Sequence, residues 1–196
     1  PIAESINLNV DEDQELLIEL VGSDIDTDDS SLTFNITSFP SNGEVTSINR
    51  LIDQYNYTPN INFYGQDTLR YTVSDDNNVS DEAEVLITIN SINDMPIVSI
   101  EQDIIELNEN TSVSSIISFS DVDGDNVHLE ILQNPTNGLI TEFDSNNGFF
   151  TYEPSDFFTG TDNFIVYAVE DQNEEAKSEV LNITFIINDV NYAPTA

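Results

Sequence analysis

A series of acidic residues occurs twice in this chain, and its residue types and spacing suggest a specific chemistry. The first copy is Glu12, Asp24, Asp26, Asp28 and Asp75, and the second is Glu109, Asp121, Asp123, Asp125 and Asp171. Two carboxylates at positions i and i+2 of a loop can both turn toward one cation, and Ca²⁺ takes about six to eight such oxygen ligands. The series therefore predicts cation ligands on a repeated scaffold.

The alternating aspartates also match the first three ligand positions of an EF-hand, which is the other common calcium loop with this spacing. An EF-hand requires Gly at its sixth position and Glu at its twelfth. The second copy has Asn126 and Leu132 there, and the first copy fails at the same two positions. We therefore interpret Asp28 and Asp125 as surface acids or loop braces.

Turn residues repeat together with the acids, which indicates that a whole domain is duplicated. Pro40-Ser-Asn-Gly43 recurs as Pro135-Thr-Asn-Gly138, and Tyr57-Thr-Pro59 recurs as Tyr152-Glu-Pro154. Asn-Gly pairs favour tight hairpin turns, because both residues accept positive φ angles. A repeat of this length is a domain, since the repeating units of solenoids are shorter.

Prolines open, divide and close the two copies, at Pro1, Pro96 and Pro194. We therefore expect one domain at residues 1–95 and a second at residues 96–196. Each has the size of a small domain with a single core. Because both ends of the sequence resemble linkers, we expect the chain to be a piece of a longer array.

Apolar and polar residues alternate with period two in many short runs separated by turn residues, as at Leu16, Ile18 and Leu20. This pattern, without an apolar stripe at helical spacing, predicts an all-β sandwich. The strands expected in the first copy are seven, at residues 2–10, 16–22, 31–38, 44–50, 54–58, 67–74 and 83–90.

The sixth strand of the second copy carries a further expectation. The repeat offset slips from 95 to 96 residues between Phe164 and Tyr167, so we expect a β-bulge near Ile165-Val166. Four tyrosines at repeat-equivalent strand positions are expected in the cores, namely Tyr57, Tyr71, Tyr152 and Tyr167.

The charge of the chain is its most unusual bulk property, because 38 Asp and Glu against three Lys and Arg give a formal net charge of −35. Nucleic acids and anionic membrane surfaces require positive charge to neutralise phosphate, so neither is an expected partner. Cysteine is absent, which excludes disulfides and cysteine-ligated zinc. No apolar run has the length of a membrane helix, so membrane insertion is not expected.

Catalysis finds little support in the sequence, and we expect that the chain is not an enzyme. His128 is the only histidine and stands at the start of an expected strand, and a Ser-His-Asp arrangement would have to use it. Paired carboxylates of the kind used in glycoside hydrolysis carry little weight in a chain with this many acids.

The acids are expected to gather where the two domains join. Successive loops of an antiparallel sandwich alternate between its two poles. The upper pole of domain 1 then carries Asp24, Asp26 and Asp75, and the lower pole carries Glu12, Asp67 and Ser91–Pro96. Domain 2 repeats this order, so its upper acids Asp121, Asp123 and Asp171 would face the lower pole of domain 1.

Taken together, these motifs resemble a cadherin repeat. They are Asp121-Val-Asp123 before a strand, Asp171 at the end of the sixth strand, the early Glu12, and the linker Ser91-Ile-Asn93-Asp94-Met-Pro96. The closer resemblance is to bacterial cadherin-like tandem repeats of large secreted or surface proteins, which share Tyr57-Thr-Pro59 before Gly65-Gln-Asp67. This resemblance covers essentially the whole chain. It implies two tandem seven-stranded, Ig-like Greek-key β-sandwiches.

In that family Ca²⁺ binds between successive domains. The resemblance implies a ligand set of Glu12, Asn93, Asp94, Asp121, Asp123 and Asp171. It also implies two outer half-sites, one with Asp24, Asp26 and Asp75 and the other with Glu109, Asp189 and Asn191. Asp67 would partly replace the Asp-Arg-Glu triplet that this chain lacks. Ser91 stands where the family linker begins with Asp, and Tyr192 stands in the second linker where Asp94 stands in the first, which favours one or two ions over three.

The resemblance implies a structural or adhesive extender module of a long extracellular bacterial protein, stiffened by Ca²⁺ and flanked by neighbouring repeats. One alternative is a binding module for polysaccharide or for a like domain on another cell. Another is a non-catalytic accessory domain of a secreted hydrolase. In each case the expected location is the cell surface or the extracellular medium.

Overall fold

The computed structural model describes residues 1–49 and 53–191. Arg50, at the end of the fourth expected strand, and Tyr192 and Pro194 lie outside the described residues. The chain forms two compact units, unit 1 at Pro1–Ile92 and unit 2 at Asn93–Ala196. Their boundary falls inside the linker that the sequence indicates around Pro96.

Unit 1 is built almost entirely from strands. They are β1 (Ile2–Ala3), β2 (Ile6–Asp11), β3 (Leu16–Glu19), β4 (Gly22–Ser23), β5 (Thr33–Ser38), β6 (Gly43–Asn49), β7 (Gln54–Pro59), β8 (Gly65–Ser74) and β9 (Ala83–Asn90), with one 3-10 helix at Asp29–Ser31. One sheet has the order β2-β9-β8-β5, a second has β3-β7-β6, and β1 pairs with β4. Strand β2 runs parallel to β9, and the other pairs are antiparallel.

Unit 2 repeats this architecture. Its strands are β10 (Ile97–Ile100), β11 (Ile104–Asn108), β12 (Val113–Ser120), β13 (Val127–Gln133), β14 (Gly138–Phe143), β15 (Phe149–Pro154), β16 (Gly160–Glu170) and β17 (Leu181–Asn188). The sheet orders are β10-β12-β15-β14 and β11-β17-β16-β13. Because β12 pairs with β15, β13 with β16 and β11 with β17, these pairs are not consecutive in sequence, and the connections cross between sheets as in a Greek key. The all-β prediction is confirmed.

The first two expected strands of unit 1 are each divided in two, which corrects the prediction of seven continuous strands. The expected strand 2–10 is β1 and β2, and the expected strand 16–22 is β3 and β4. Strand β1 pairs with β4, whereas β2 joins β9 in the other sheet. Apolar alternation reveals which face of a strand is buried but not which sheet the strand joins, so the sequence could not show this break.

The β-bulge lies on a different strand from the predicted one. In unit 2 the register shifts on β13, between Ile131 and Gln133, opposite the predicted position in β16. Unit 1 has the same shift on β5, between Ile36 and Ser38. Since both units share this bulge, it does not account for the slip in the repeat offset, and the prediction of a bulge in β16 is wrong.

Each unit has its own apolar core, and three of the four predicted tyrosines lie fully buried in it, namely Tyr57, Tyr71 and Tyr152. Tyr167 is an exception that corrects the prediction. Its hydroxyl donates a hydrogen bond to Glu130, and Lys177 Nζ lies 5.0 Å from the centre of its ring. Val166 occupies the core position of Tyr71, because Tyr71 pairs with Ile36 and Val166 pairs with the equivalent Ile131.

Candidate metal centre

In unit 1, three predicted acids converge on one point. Single carboxylate oxygens of Asp24, Asp26 and Asp75 all lie within 4.8 Å of one another. Asp24 Oδ1 accepts hydrogen bonds from the N–H groups of Asp26 at 2.9 Å and Thr27 at 3.0 Å, which folds the loop after β4 around this carboxylate. Asp75 Oδ1 accepts two backbone N–H groups of its own loop at 2.7 and 2.6 Å.

The crowding of these carboxylates perturbs their protonation. The N–H groups of Asp26 and Thr27 donate to the Asp24 carboxylate and favour its charged form. A side-chain hydrogen bond from Asp26 to this carboxylate, together with its negative charge, raises the pKa of Asp26. The two backbone N–H groups lower the pKa of Asp75. Carboxylates this close repel one another, and a bound cation would relieve that repulsion.

In unit 2, the first residues after the boundary are held by acidic loops of the same unit. The Asp94 N–H donates to Asp123 Oδ2 at 2.7 Å, and the Asn93 side-chain amide donates to Glu170 Oε1 at 2.7 Å. The Asp123 N–H in turn donates to Asp121 Oδ1 at 2.9 Å. Hydrogen bonds therefore connect two predicted linker ligands with two predicted loop ligands in one network.

Asp121 provides the test of whether these residues fit a cation. Its Oδ1 accepts hydrogen bonds, whereas its Oδ2 is buried from solvent and has no hydrogen-bond partner. A buried carboxylate oxygen without a donor is costly, because it loses water and gains nothing in return. Hard cations such as Ca²⁺ are bound by such oxygens, so the donor set fits the metal that the cadherin resemblance implies.

Glu170 is a residue of this network that the sequence analysis did not identify. Its exposed fraction is 2%, and it lies at the end of β16. Ser74 pairs with Thr33 in unit 1, and Val169 pairs with His128 in unit 2. Thr33 and His128 are equivalent, because they are separated by the repeat offset of 95 residues. The next residues, Asp75 and Glu170, are therefore equivalent in the two ladders. The predicted equivalence of Asp75 and Asp171 is wrong.

Asp171 lies one residue beyond this position and faces a different group. It is exposed, and its Oδ1 lies 2.7 Å from His128 Nδ1. Its N–H donates to the Asn126 carbonyl at 2.8 Å. The structure thus brings Asp121, Asp123 and the linker residues together but places Asp171 against His128. A sequence comparison that kept the offset of 95 residues through the end of β16 could have found Glu170.

At the other end of each unit, a buried glutamate holds the exit segment. Glu12 Oε1 accepts the N–H of Ile92 at 2.7 Å, and Glu109 Oε1 accepts the N–H of Val190 at 3.1 Å. The exposed fractions of Glu12 and Glu109 are 4% and 5%. The remaining predicted ligands of this end, Asp189 and Asn191, are exposed.

Asp67 is also buried, and its carboxylate accepts four hydrogen bonds. Three come from the backbone N–H groups of Ser41, Asn42 and Thr68, at 2.9, 2.8 and 2.9 Å, and one comes from the Tyr57 hydroxyl at 3.0 Å. Burial, with the hydrogen bond to Asp67, raises the pKa of Tyr57 above its usual range. The hydrogen bonds hold the turn before β6, and they occupy both oxygens of this carboxylate.

Unit 2 contains the same arrangement around Asp162, which the sequence analysis did not identify. Its carboxylate accepts hydrogen bonds from Thr136, Asn137 and Asn163 N–H groups and from the Tyr152 hydroxyl, at 2.7 to 3.1 Å. The signal was present in the sequence, because Asp67 and Asp162 each follow the repeated Tyr-x-Pro motif at the same distance. We therefore regard this pair of carboxylates as braces of the fold.

The comparisons with known proteins fit this architecture. The sequence profile of a family described as bacterial Ig domain matches residues 1–88 and again residues 93–184. No curated protein sequence is similar enough to count as a relative. The part of the chain that the structure describes contains no helix with the length and apolarity that a membrane crossing needs.

Solved structures of cadherins share the fold. The extracellular cadherin domains 3-6 of protocadherin gamma B2 align over 95% of this chain and 46% of that chain, with 15% identity and a TM-score of 0.53. Domains EC22-24 of mouse cadherin-23 align over 95% of this chain and 64% of that chain, with 15% identity and a TM-score of 0.51. The chain thus spans about half to two thirds of the length of these proteins.

Proposed function

Because this chain belongs to the bacterial Ig domain family and carries two tandem cadherin-like copies of the domain, we propose that it is a calcium-binding extender module. In this proposal it is part of a large extracellular bacterial surface or secreted protein. Its two domains hold a distal part of that protein at a distance, and neighbouring repeats of the same chain are its partners.

The observation that carries the proposal is the buried Asp121 Oδ2, which has no hydrogen-bond donor although it lies in a loop that holds the linker. A bound Ca²⁺ would supply positive charge to this oxygen and to the carboxylates connected with it. Asp123 accepts the Asp94 N–H, and Asp121 accepts the Asp123 N–H, so hydrogen bonds already hold this loop beside the linker residues.

The residues proposed to hold the ion are the loop acids Asp121 and Asp123 and the linker residues Asn93 and Asp94. Glu12 contributes from unit 1 by fixing Ile92, the residue immediately before Asn93. The linker is thus anchored on both sides, by a carboxylate of unit 1 and by carboxylates of unit 2. In unit 1, Asp24, Asp26 and Asp75 form the corresponding upper cluster, which would serve a preceding repeat.

The stiffening follows from charge. With a net charge of −35, the acids of the chain repel one another, and inter-domain contacts alone leave relative motion as the expected state. Monovalent salt screens this repulsion beyond about 8 Å but forms no bond that fixes an orientation. A divalent ion shared by the linker and the loops offsets the repulsion and restrains the linker at once.

Thermal unfolding with and without calcium tests the proposal. Affinity should be weak, since extracellular calcium modules have dissociation constants of about 10⁻⁴–10⁻³ M. At free calcium a hundredfold above the dissociation constant, binding adds about 2.7 kcal/mol to the stability. Chelation should therefore lower the melting temperature, and the response that belongs to unit 2 should be absent in Asp123→Ala.

Asp125→Ala is the matched control, because Asp125 is exposed and lies two residues from Asp123 in the same loop. It should keep most of the calcium response. Comparing each variant in calcium and in chelator removes the effect of the hydrogen bond that Asp123 makes to the Asp94 N–H. An equal response of the two variants would show that the wrong acids are assigned.

A second candidate function, binding of polysaccharide, is supported by a groove in unit 1. Its volume is about 530 Å³, and it is lined by aromatic residues such as Phe39 and Tyr55 next to Asn35 and Asp53. Aromatic rings beside polar groups are typical of ligand sites. A glycan array with the two-domain chain, compared with Tyr55→Ala, tests this candidate. Binding that the variant loses would favour it, and absence of any bound glycan would exclude it.

A further inference from the structure

The two adjacent acids at the end of β16 have opposite environments. Glu170 is 2% exposed and lies inside the network that holds the linker, whereas Asp171 is exposed and contacts His128. Neighbouring residues at the end of a strand point to opposite faces, so the two carboxylates have different surroundings. The ladder puts Glu170 in the place of Asp75, which belongs to the converging cluster of unit 1.

We propose that Glu170, and not Asp171, is the strand-end carboxylate that binds the ion in unit 2. This inference rests on the proposed calcium role. It assigns a ligand that neither the resemblance nor the motif spacing indicates, and it removes one that both of them indicate. The three carboxylates of the site are then Asp121, Asp123 and Glu170, the counterparts of Asp24, Asp26 and Asp75 in unit 1. Among the described residues, only the unit 1 set has carboxylate oxygens that already lie within 4.8 Å of one another.

The burial of Glu170 supports this assignment. The partner of its Oε1 is the neutral amide of Asn93, which donates one hydrogen bond but carries no charge. The ion pairs recorded for the described part of unit 2 join His128 with Asp171 and Glu130, and none includes Glu170. A buried carboxylate whose hydrogen-bond partner is neutral gains most from a nearby positive charge, and a bound cation supplies one.

Asp171, by contrast, already has a partner. Its Oδ1 and His128 Nδ1 are 2.7 Å apart, and to turn toward the Asp121 loop it would have to give up this contact. Its backbone also has a role in the network, since its N–H holds the Asn126 carbonyl of the loop that follows Asp125. Asp171 therefore supports the loop through its backbone while its side chain faces away from the site.

The hydrogen bond from Asn93 also connects Glu170 with the linker. The Asn93 side-chain amide donates to both the Glu170 carboxylate and the Asp94 carbonyl, at 2.7 and 3.0 Å. Glu170 thus acts on the first two residues of unit 2 while it contributes to the proposed site. In unit 1, Asp75 is one methylene shorter than Glu170, and its contacts are with its own loop.

The test is a calcium titration of the intact two-domain chain by residue-resolved NMR, in the wild type, Glu170→Gln and Asp171→Asn. Amides of Asp94 and Asp123 report unit 2, and the Asp26 amide reports unit 1 as an internal control. Because calcium affinity depends on the number of charged ligands, Glu170→Gln should weaken binding at unit 2 by about tenfold or more. Asp171→Asn should change it by less than about threefold, and the Asp26 midpoint should stay the same in both variants.

Melting temperatures separate a ligand from a purely structural brace. Removing the charge of a ligand relieves repulsion in chelator, so Glu170→Gln should raise the melting temperature there and lower it relative to wild type in calcium. A brace would lower it in both conditions, and that result would overturn the assignment. So would a weaker affinity in Asp171→Asn with no change in Glu170→Gln.

The outcomes also distinguish this inference from the proposed function. If the wild type shows no calcium-dependent shift at Asp94 or Asp123 in millimolar calcium, the proposed function itself is contradicted. If the wild type binds and Glu170→Gln binds equally well, only the assignment of Glu170 is contradicted.

Discussion

The buried carboxylate of Asp67 gives a prediction that separates fold braces from metal ligands. Asp67→Asn keeps the size of the side chain but replaces one acceptor oxygen with an NH₂ group. In the wild type, Oδ1 accepts from Ser41 and Thr68, and Oδ2 accepts from the Asn42 N–H and the Tyr57 hydroxyl. The hydroxyl can reverse its role, but the Asn42 N–H cannot, so one buried donor faces another donor.

The expected cost can be worked from these contacts. A buried donor left unsatisfied costs about 1–3 kcal/mol, and hydrogen bonds to a charged acceptor contribute about 1.5–3 kcal/mol each. We therefore expect Asp67→Asn to lower the free energy of unfolding of unit 1 by about 3 kcal/mol. Tyr57→Phe removes one hydrogen bond and leaves three, so its cost should be about 1–2 kcal/mol.

Hydrogen exchange read from the slowest amides of each unit measures this prediction separately for the two units. Asp67→Asn should destabilise unit 1 alone, and the matched variant Asp162→Asn should destabilise unit 2 alone. Both losses should be the same in calcium and in chelator, because a carboxylate that already accepts four hydrogen bonds is not needed as a ligand. A loss in Asp67→Asn that appears only in calcium would refute this reasoning and restore Asp67 to the metal site.

Three further predictions follow from other contacts. Glu12→Gln should speed amide exchange at Ile92 and its neighbours, because the Glu12 carboxylate accepts the Ile92 N–H. Exchange in the core of unit 1 should stay the same, and unchanged exchange at Ile92 would contradict the anchoring of the linker. Gly148→Ala should destabilise unit 2 by several kcal/mol in urea titrations. Gly148 has a φ of +79°, and an added Cβ would lie 1.9 Å from the Ile117 carbonyl oxygen. Gly124→Ala is the control, because Gly124 also has a positive φ but has open space around it. Burial and the neighbouring carboxylates raise the pKa of Tyr57 and Tyr152 in the folded state, so their contribution to stability is present below about pH 10 and is lost as the pH rises further. Burial also raises the pKa of Tyr71. An ultraviolet titration should therefore show three of the seven tyrosines, Tyr57, Tyr71 and Tyr152, ionising only as the chain unfolds, and ionisation of all seven in the folded state would contradict their burial.

Much of the architecture could be predicted because it depends on local patterns. Period-two alternation and Asn-Gly turns indicated the strands and their hairpins, and the repeated motifs indicated two copies of one domain. The chain breaks between β1 and β2 and between β3 and β4 could not be seen in this way. They depend on which sheet each segment joins, and that is decided by pairing with β9 and β1, which are distant in sequence.

The loop acids of the candidate site were also accessible from the sequence, because Asp121-x-Asp123 repeats the spacing of Asp24-x-Asp26. The strand-end acid was not. Two acids stand side by side at Glu170 and Asp171, and the motif favoured the one whose neighbours resemble those of Asp75. The choice is made by the register of β13 against β16, where Val169 pairs with His128, and the next residue, Glu170, is buried against the linker residue Asn93.

The roles of the buried acids differ for a related reason. Asp67 and Glu12 both stand before or after strands, and composition alone makes either of them a candidate ligand. The structure separates them by their hydrogen bonds, because Asp67 accepts four and Glu12 Oε1 holds a linker amide. Such partners come from distant parts of the chain, so local spacing could not indicate them.

Small-angle X-ray scattering of the two-domain chain tests the central claim most directly, which is that calcium restrains the linker. Three conditions are needed, namely chelator, chelator with sodium chloride at matched ionic strength, and millimolar calcium. We predict a broad distribution of maximum dimensions in the first two conditions, since screening supplies no directional bond, and a narrower and more extended distribution in calcium. Distributions that coincide with and without calcium would contradict the extender mechanism and favour a binding role for the domains themselves.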